Sequence, residues 1–108
     1  MNTGPGCAVQ LSPLAENIHM DALRLRLLAL IKRTEDFFKN DSFMRTRLRG
    51  AYRPDRAAYT PLFADWCAFR DDCHAAPFSR FRLLYRLRIQ SWKEVAEEQI
   101  VKLGAVSG

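Results

Sequence analysis

Two carboxylate–histidine pairs are the part of this sequence whose residue types and spacing could support chemistry. Glu16 precedes His19 by three residues, and Asp71 precedes His74 by the same interval. Residues three apart on a helix occupy neighbouring positions of one face, so each pair could share a metal ion. The spacing makes these pairs candidate metal ligands, provided that both segments are helical.

The spacing resembles the Glu-x-x-His ligand pairs of ferritin-like di-iron bundles, in which two more helices each add a glutamate. The sequence departs from that pattern in three ways. Its second pair has Asp in place of Glu, the chain is short for four full-length helices, and Asp71 and His74 lie off the apolar stripe of their segment. We therefore predict neither a metal nor another cofactor, and a metal-binding bundle is only the third interpretation of function.

A cysteine–histidine pair is the other candidate for catalysis. Cys73 and His74 are neighbours in sequence, but adjacent helical side chains point about 100° apart, so the imidazole need not activate the thiol. A buried cysteine commonly acts as a small apolar side chain. We predict no catalytic residues and expect that the protein is not an enzyme.

The composition indicates one small basic domain. The chain has 108 residues and a formal net charge of +5, and only four of its 17 basic residues are lysines. An arginine excess suits a surface that binds carboxylates, phosphates or aromatic rings, although a GC-rich genome also raises arginine content. We predict a flexible tail over 1–11 and a single domain over 12–108. Three unevenly spaced cysteines, no secretory start and no long apolar run predict a cytoplasmic protein without a membrane segment.

The first helix is predicted from Ser12 and Pro13, a capping side chain followed by a proline, to Phe38. Two apolar stripes with helical spacing run along different sides of it. One stripe contains Met20, Leu23, Leu27, Leu30, Thr34 and Phe37, and the other contains Leu14, Ile18, Ala22, Leu25 and Ala29. A helix that is apolar on two sides needs two partners.

The middle of the chain carries local signals for breaks and helix starts. The sequence KNDS at 39–42 predicts a break, and residues 42–53 could form a short helix or an extended segment, of which we favour the helix. Thr60–Pro61 predicts the next helix start, and Pro77 its end. The core stripe of that helix contains Leu62, Trp66, Phe69 and Cys73.

The segment 79–92 alternates arginine with apolar residues, which fits a strand, but it also fits a helix. The alternation stops at Gln90–Ser91, whereas a helical stripe continues almost to Gly104. That stripe contains Phe81, Tyr85, Ile89, Trp92, Ala96, Ile100 and Leu103. The longer pattern predicts a helix over 78–103, with Gly104 as its C-cap.

The predicted fold is therefore all-α, a bundle of two long and one or two short helices that is completed by dimerisation. We expect the first and last helices to form the partner surface. The predicted contacts are Leu14, Ile18, Leu25, Phe81, Arg82, Tyr85, Arg86, Arg88, Ile89 and Trp92. The sequence indicates a helical regulator or adaptor that binds another protein, for example one that sequesters or inhibits a transcription factor. The alternative is nucleic-acid binding through the arginine-rich segments 45–56 and 80–93.

Overall fold

The computed structural model describes residues 13–75 and 83–107, apart from the side chains at positions 13, 14, 16 and 107. This part of the chain is helical apart from the connection 52–55 and Ala75, and it contains no strand. Helix α1 spans Pro13–Leu48, a 3₁₀ turn spans Arg49–Ala51, helix α2 spans Arg56–His74 and helix α3 spans Leu83–Ser107. The predicted all-α helical bundle is confirmed. The predicted tail over 1–11 lies outside the described residues.

Helix α1 continues through the KNDS segment, so the break predicted at 39–42 is wrong. Asp41 is buried on the core side of α1, and its Oδ2 accepts a hydrogen bond from Arg45 at 3.2 Å, one turn later. A cap-forming side chain that is bonded to its own helix no longer competes for the backbone. The helix ends instead at Leu48, and the next residue, Arg49, has a φ of 50°, in the left-handed region. The favoured helical form of 42–53 is therefore confirmed as far as Leu48.

Helix α2 begins at Arg56, four residues before the predicted Thr60–Pro61 start, which is therefore wrong. Asp55 is the N-cap, and its side chain accepts a hydrogen bond from the backbone N–H of Ala58 at 3.3 Å. Pro61 lies inside the helix and removes one backbone donor. Ala57, whose carbonyl would accept that bond, is exposed, so water can replace it.

The helix predicted over 78–103 is confirmed for its described part, since α3 begins at Leu83 and residues 78–82 lie outside the described residues. Gly104 is not a C-cap, because α3 continues through it to Ser107. A methyl group placed at Gly104 would meet no atom within 4 Å. This position therefore tolerates glycine without requiring it.

The core forms where the predicted stripes of the three helices meet, with α2 packed against both α1 and α3. Trp66 and Phe69 of α2 are fully buried at its centre. The other buried residues are Leu23, Leu27, Leu30, Thr34, Phe37 and Asp41 from α1, Tyr59, Leu62 and Cys73 from α2, and Tyr85, Ile89, Ala96 and Leu103 from α3. Each helix thus buries most of its predicted core stripe, with Met20, Trp92 and Ile100 half-buried and Phe81 outside the described residues. The second predicted stripe of α1 is exposed where its side chains are described.

The molecule is long and thin, with principal dimensions of 62 × 23 × 18 Å and a radius of gyration of 17.8 Å. A compact domain of similar length has a radius of gyration of about 13 Å. The interface between α1 and α3 is smaller than the interface of α2 with α1 or the interface of α2 with α3. The sides of α1 and α3 that face away from α2 are consequently left at the surface. Among the described residues, no helix is both long enough and apolar enough to pass through a membrane.

Candidate interaction surfaces

The two carboxylate–histidine pairs do not come together in the described structure. His19 is half-buried, with its ring centroid 6.2 Å from that of Tyr85. Asp71 and His74 are exposed, and the carboxylate of Asp71 pairs with Arg70 at 3.1 Å. Within residues 13–75 and 83–107, no three metal-ligating side chains form a group. The side chain of Glu16 lies outside the described set.

The thiol of Cys73 is buried in the core beside Trp66 and Phe69, in the same stripe of α2. Burial raises the pKa of this thiol from 9.0 to about 11. Because the nucleophile is the thiolate, the thiol is inert at neutral pH. Its position in the core gives it a packing role.

The predicted partner residues fall into three groups. Ile18, Leu25, Arg86 and Arg88 are exposed. Tyr85 and Ile89 are buried in the chain's own core, and Trp92 is half-buried against it. Leu14 belongs to α1 but its side chain is not described, and Phe81 and Arg82 lie outside the described residues. A direct contact of Tyr85 or Ile89 with a partner stays a prediction, and the exposed surface is formed by their neighbours.

Six of the nine large apolar side chains that are exposed among the described residues lie at one end of the molecule, which we call the apolar end. It consists of Ile18, Leu25 and Leu28 on α1 and Leu83, Leu84 and Leu87 on α3, each 52–63% exposed. The two helix segments lie at the same end because His19, beside Ile18, contacts Tyr85, beside Leu84. On each helix these residues lie on the side opposite the buried stripe. Six large apolar side chains are thus exposed at this end of the molecule, on the outward sides of α1 and α3.

Sequence reasoning missed Leu28, Leu83, Leu84 and Leu87. Leu28 lies three residues after Leu25, on the side of the predicted second stripe, so helical spacing could have found it. The three leucines of α3 fall on no core position of the helical stripe. Apolar residues that fall outside the core stripe of an amphipathic helix lie on its exposed side, and this position could have identified them.

The opposite end of the molecule carries a basic turn, defined by the exposed residues Arg47, Arg49, Arg53 and Arg56. About 24 helical residues, or roughly 36 Å, separate it from Leu25. Within the described part of the chain, none of these four arginines forms an ion pair. Arg53 donates a hydrogen bond to the carbonyl oxygen of Tyr52 at 2.8 Å.

A cluster of the buried Asp41, the half-buried Tyr52 and the exposed Arg45 lies next to the basic turn. Arg45 pairs with Asp41, and its guanidinium carbon lies 4.4 Å from the ring centroid of Tyr52. Guanidinium–ring stacking of this kind is attractive. It ties the end of α1 to the segment that enters α2. The arginine at position 45 therefore has a structural role, which distinguishes it from its four exposed neighbours.

Comparison with known proteins adds no template for either surface. No protein-family model matches the sequence, and no curated protein and no solved structure matches it significantly. Functional interpretation therefore rests on the two surfaces themselves.

Proposed function

We propose that the protein is a small helical adaptor or regulator that acts by binding, and that the apolar end is its protein-binding surface. The observation that carries this proposal is the exposure of six large apolar side chains at one end of the bundle, on the outward sides of α1 and α3. Exposed apolar groups of this extent are typical of interaction sites. The first partner that we propose is a second copy of the chain, which would complete the thin bundle.

The apolar area at this end is large enough to drive association. Complete burial of a leucine or isoleucine side chain contributes about 1.5–3 kcal/mol, so the exposed part of each contributes about 1–1.5 kcal/mol. Two copies paired through their apolar ends would gain roughly 12–18 kcal/mol in total. Association costs about 4–15 kcal/mol in lost translational and rotational freedom. The gain exceeds the cost over most of these two ranges, so burial of the apolar end favours association.

The finer form of the proposal concerns the partner and its location. We propose that the biological partner is a transcriptional regulator that the protein sequesters or inhibits, because a short rigid helical surface can cover a regulator's own contact site. Cys67 and Cys73 are free thiols, which persist in a reducing compartment, so we place the protein in the cytoplasm.

The test is the molar mass in solution, measured by size-exclusion chromatography with light scattering over a range of protein concentrations. We expect a concentration-dependent dimer for the native chain and a monomer for the Leu25→Glu/Leu28→Glu variant. Both positions are exposed, so the charges should leave the fold intact, which circular dichroism checks. Val101→Glu is the matched control, since Val101 is exposed but lies about 21 Å along α3 from Leu87. A native monomer at every concentration would reject self-association through this end.

A further inference from the structure

The basic turn concentrates positive charge that the rest of the chain does not balance. Between positions 41 and 56 there are five arginines and two aspartates. Asp41 pairs with Arg45, and Asp55 accepts a hydrogen bond as the N-cap of α2. Elsewhere, Arg26 pairs with Asp72 and Arg33 with Asp65, each at 2.6 Å. The four exposed arginines at the turn differ because their guanidinium groups face solvent and have no acidic partner among the described residues.

Arg49 is held in a backbone conformation that favours glycine. Its φ of 50° places it at the left-handed position that ends α1. Helices commonly place glycine at such a position, because a side chain there is strained. An arginine at this position is unfavourable for the fold. Non-glycine residues held in this region of backbone conformation cluster at functional sites.

An exposed aromatic ring lies beside the turn. Phe43 is 60% exposed, and it has Lys39 one turn before it and Arg47 one turn after it on the same side of α1. Cations that flank an exposed ring form the combination that binds single-stranded nucleic acid, with phosphates on the cations and a base on the ring. An acidic protein would use the cations but would gain little from the ring.

We infer that the basic turn, together with Phe43, binds single-stranded nucleic acid. The guanidinium groups of Arg47, Arg49, Arg53 and Arg56 contact the phosphates, and the ring of Phe43 stacks on a base. Arginine suits this role because its planar fork donates two hydrogen bonds to one phosphate. The site is independent of the apolar end, and its test does not depend on the oligomeric state.

The experiment measures the fluorescence anisotropy of a labelled thirty-nucleotide oligothymidine that is titrated with the full-length protein at several salt concentrations. If four arginines neutralise phosphates, the affinity falls roughly 50-fold between 50 and 200 mM salt. Arg47→Gln and Arg53→Gln should each lower the salt slope by about 0.7. Arg49→Gly should weaken binding while it raises the melting temperature, so that its loss of binding cannot result from unfolding. Arg24→Gln is the matched control, because Arg24 is exposed in the first half of α1 and its substitution removes the same charge.

Phe43 distinguishes base stacking from simple charge attraction. Phe43→Leu keeps an apolar side chain without an aromatic face, and it should weaken binding roughly fivefold or more. Three results would overturn the inference. They are equal weakening by Arg24→Gln, no effect of Phe43→Leu, and equally tight binding of duplex DNA or polyglutamate.

Discussion

Replacing Thr34 with valine tests how α1 is joined to α2 at the centre of the molecule. Trp66 is completely buried, and its Nε1 donates a hydrogen bond to Thr34 Oγ1 at 2.7 Å. The Thr34 hydroxyl in turn donates to the carbonyl oxygen of Leu30 at 2.7 Å. Thr34 is only 4% exposed, and it is the one polar member of the buried stripe formed by Leu23, Leu27, Leu30, Thr34 and Phe37. Valine has nearly the same shape and removes only the hydroxyl.

The expected loss of stability follows from the indole N–H of Trp66, which loses its hydrogen-bond acceptor. Without the hydroxyl, the indole N–H of Trp66 has no acceptor and no access to water, which costs about 1–3 kcal/mol. The methyl group that replaces the hydroxyl stabilises the folded state by about 0.8 kcal/mol through apolar burial. The carbonyl of Leu30 still accepts the helical hydrogen bond from the backbone N–H of residue 34. The free energy of unfolding should therefore fall by about 0.2–2.2 kcal/mol.

A double-mutant cycle with Trp66→Phe isolates this hydrogen bond from the effects of packing. Phenylalanine removes the donor, so Thr34→Val should cost nothing in that background or should stabilise the fold slightly. Urea denaturation followed by circular dichroism gives the four free energies of unfolding, and their coupling should be about 1–3 kcal/mol. A coupling below about 0.5 kcal/mol would refute the assignment of Thr34 as the essential acceptor for Trp66.

The remaining predictions concern Arg49 and Cys73. Arg49→Gly should raise the free energy of unfolding by about 0.5–1 kcal/mol in urea titrations, because glycine adopts the left-handed conformation without strain; a loss of stability would show that the arginine side chain holds the turn. In a Cys7→Ser background, a thiol reagent at pH 8 should label Cys67 rapidly and Cys73 only upon unfolding, and equal labelling rates would contradict the buried placement of Cys73. Because the folded pKa of Cys73 is about 11, against 9.0 for a free thiol, its protonated form supports the fold below pH 9, and this contribution is lost as the pH rises through 11. The Cys73→Ala variant should lack that part of the decline in denaturation measurements between pH 8 and 11.

The buried faces could be predicted from the sequence, because helical periodicity records them along the whole length of each helix. The alternation of arginine with apolar residues at 79–92 also fitted a strand, and the longer helical stripe decided correctly for the described part. Tyr85, Ile89, Ala96 and Leu103 are all buried on one side of α3. A pattern sustained over seven positions outweighs a local one, since every turn of a core helix must present an apolar side chain.

Helix ends were predicted less well because each depends on a few local bonds. Asp41 was interpreted as part of a break, yet its hydrogen bond with Arg45 keeps it within α1. Thr60–Pro61 has the residue types of a helix start, but Asp55 begins α2 one turn earlier. Asp55 follows Pro54 and precedes Ala58 by three residues, so the sequence contained this cap. Competing caps of similar strength cannot be ranked without the packing of the helix that follows.

The basic turn could not be found from charge patterning alone, because tertiary contacts decide which arginines stay unpaired. Arg26 pairs with Asp72 and Arg33 pairs with Asp65, two residues of α2 that lie 46 and 32 positions later in the sequence. These exposed pairs contribute little stability, but they neutralise the arginines along the middle of α1. The arginines beyond the last pair are consequently left at the far end. Segment 45–56 was a candidate from composition, and the structure separates Arg45, which is held in place, from its exposed neighbours.

The separation of the two surfaces implies that one chain can bind two different partners at once. The apolar end and the basic turn are roughly 36 Å apart along α1, which is several Debye lengths at physiological salt. Neither charge repulsion nor steric overlap should therefore couple them. We expect the Leu25→Glu/Leu28→Glu variant to keep the native affinity for the oligonucleotide, and Arg49→Gly to keep the native oligomeric state. A change in affinity greater than about threefold in the first variant would contradict this expectation, and it would indicate that dimerisation assembles a shared nucleic-acid surface from two basic turns. Antiparallel pairing through the apolar ends would instead place the two basic turns at opposite ends of the dimer.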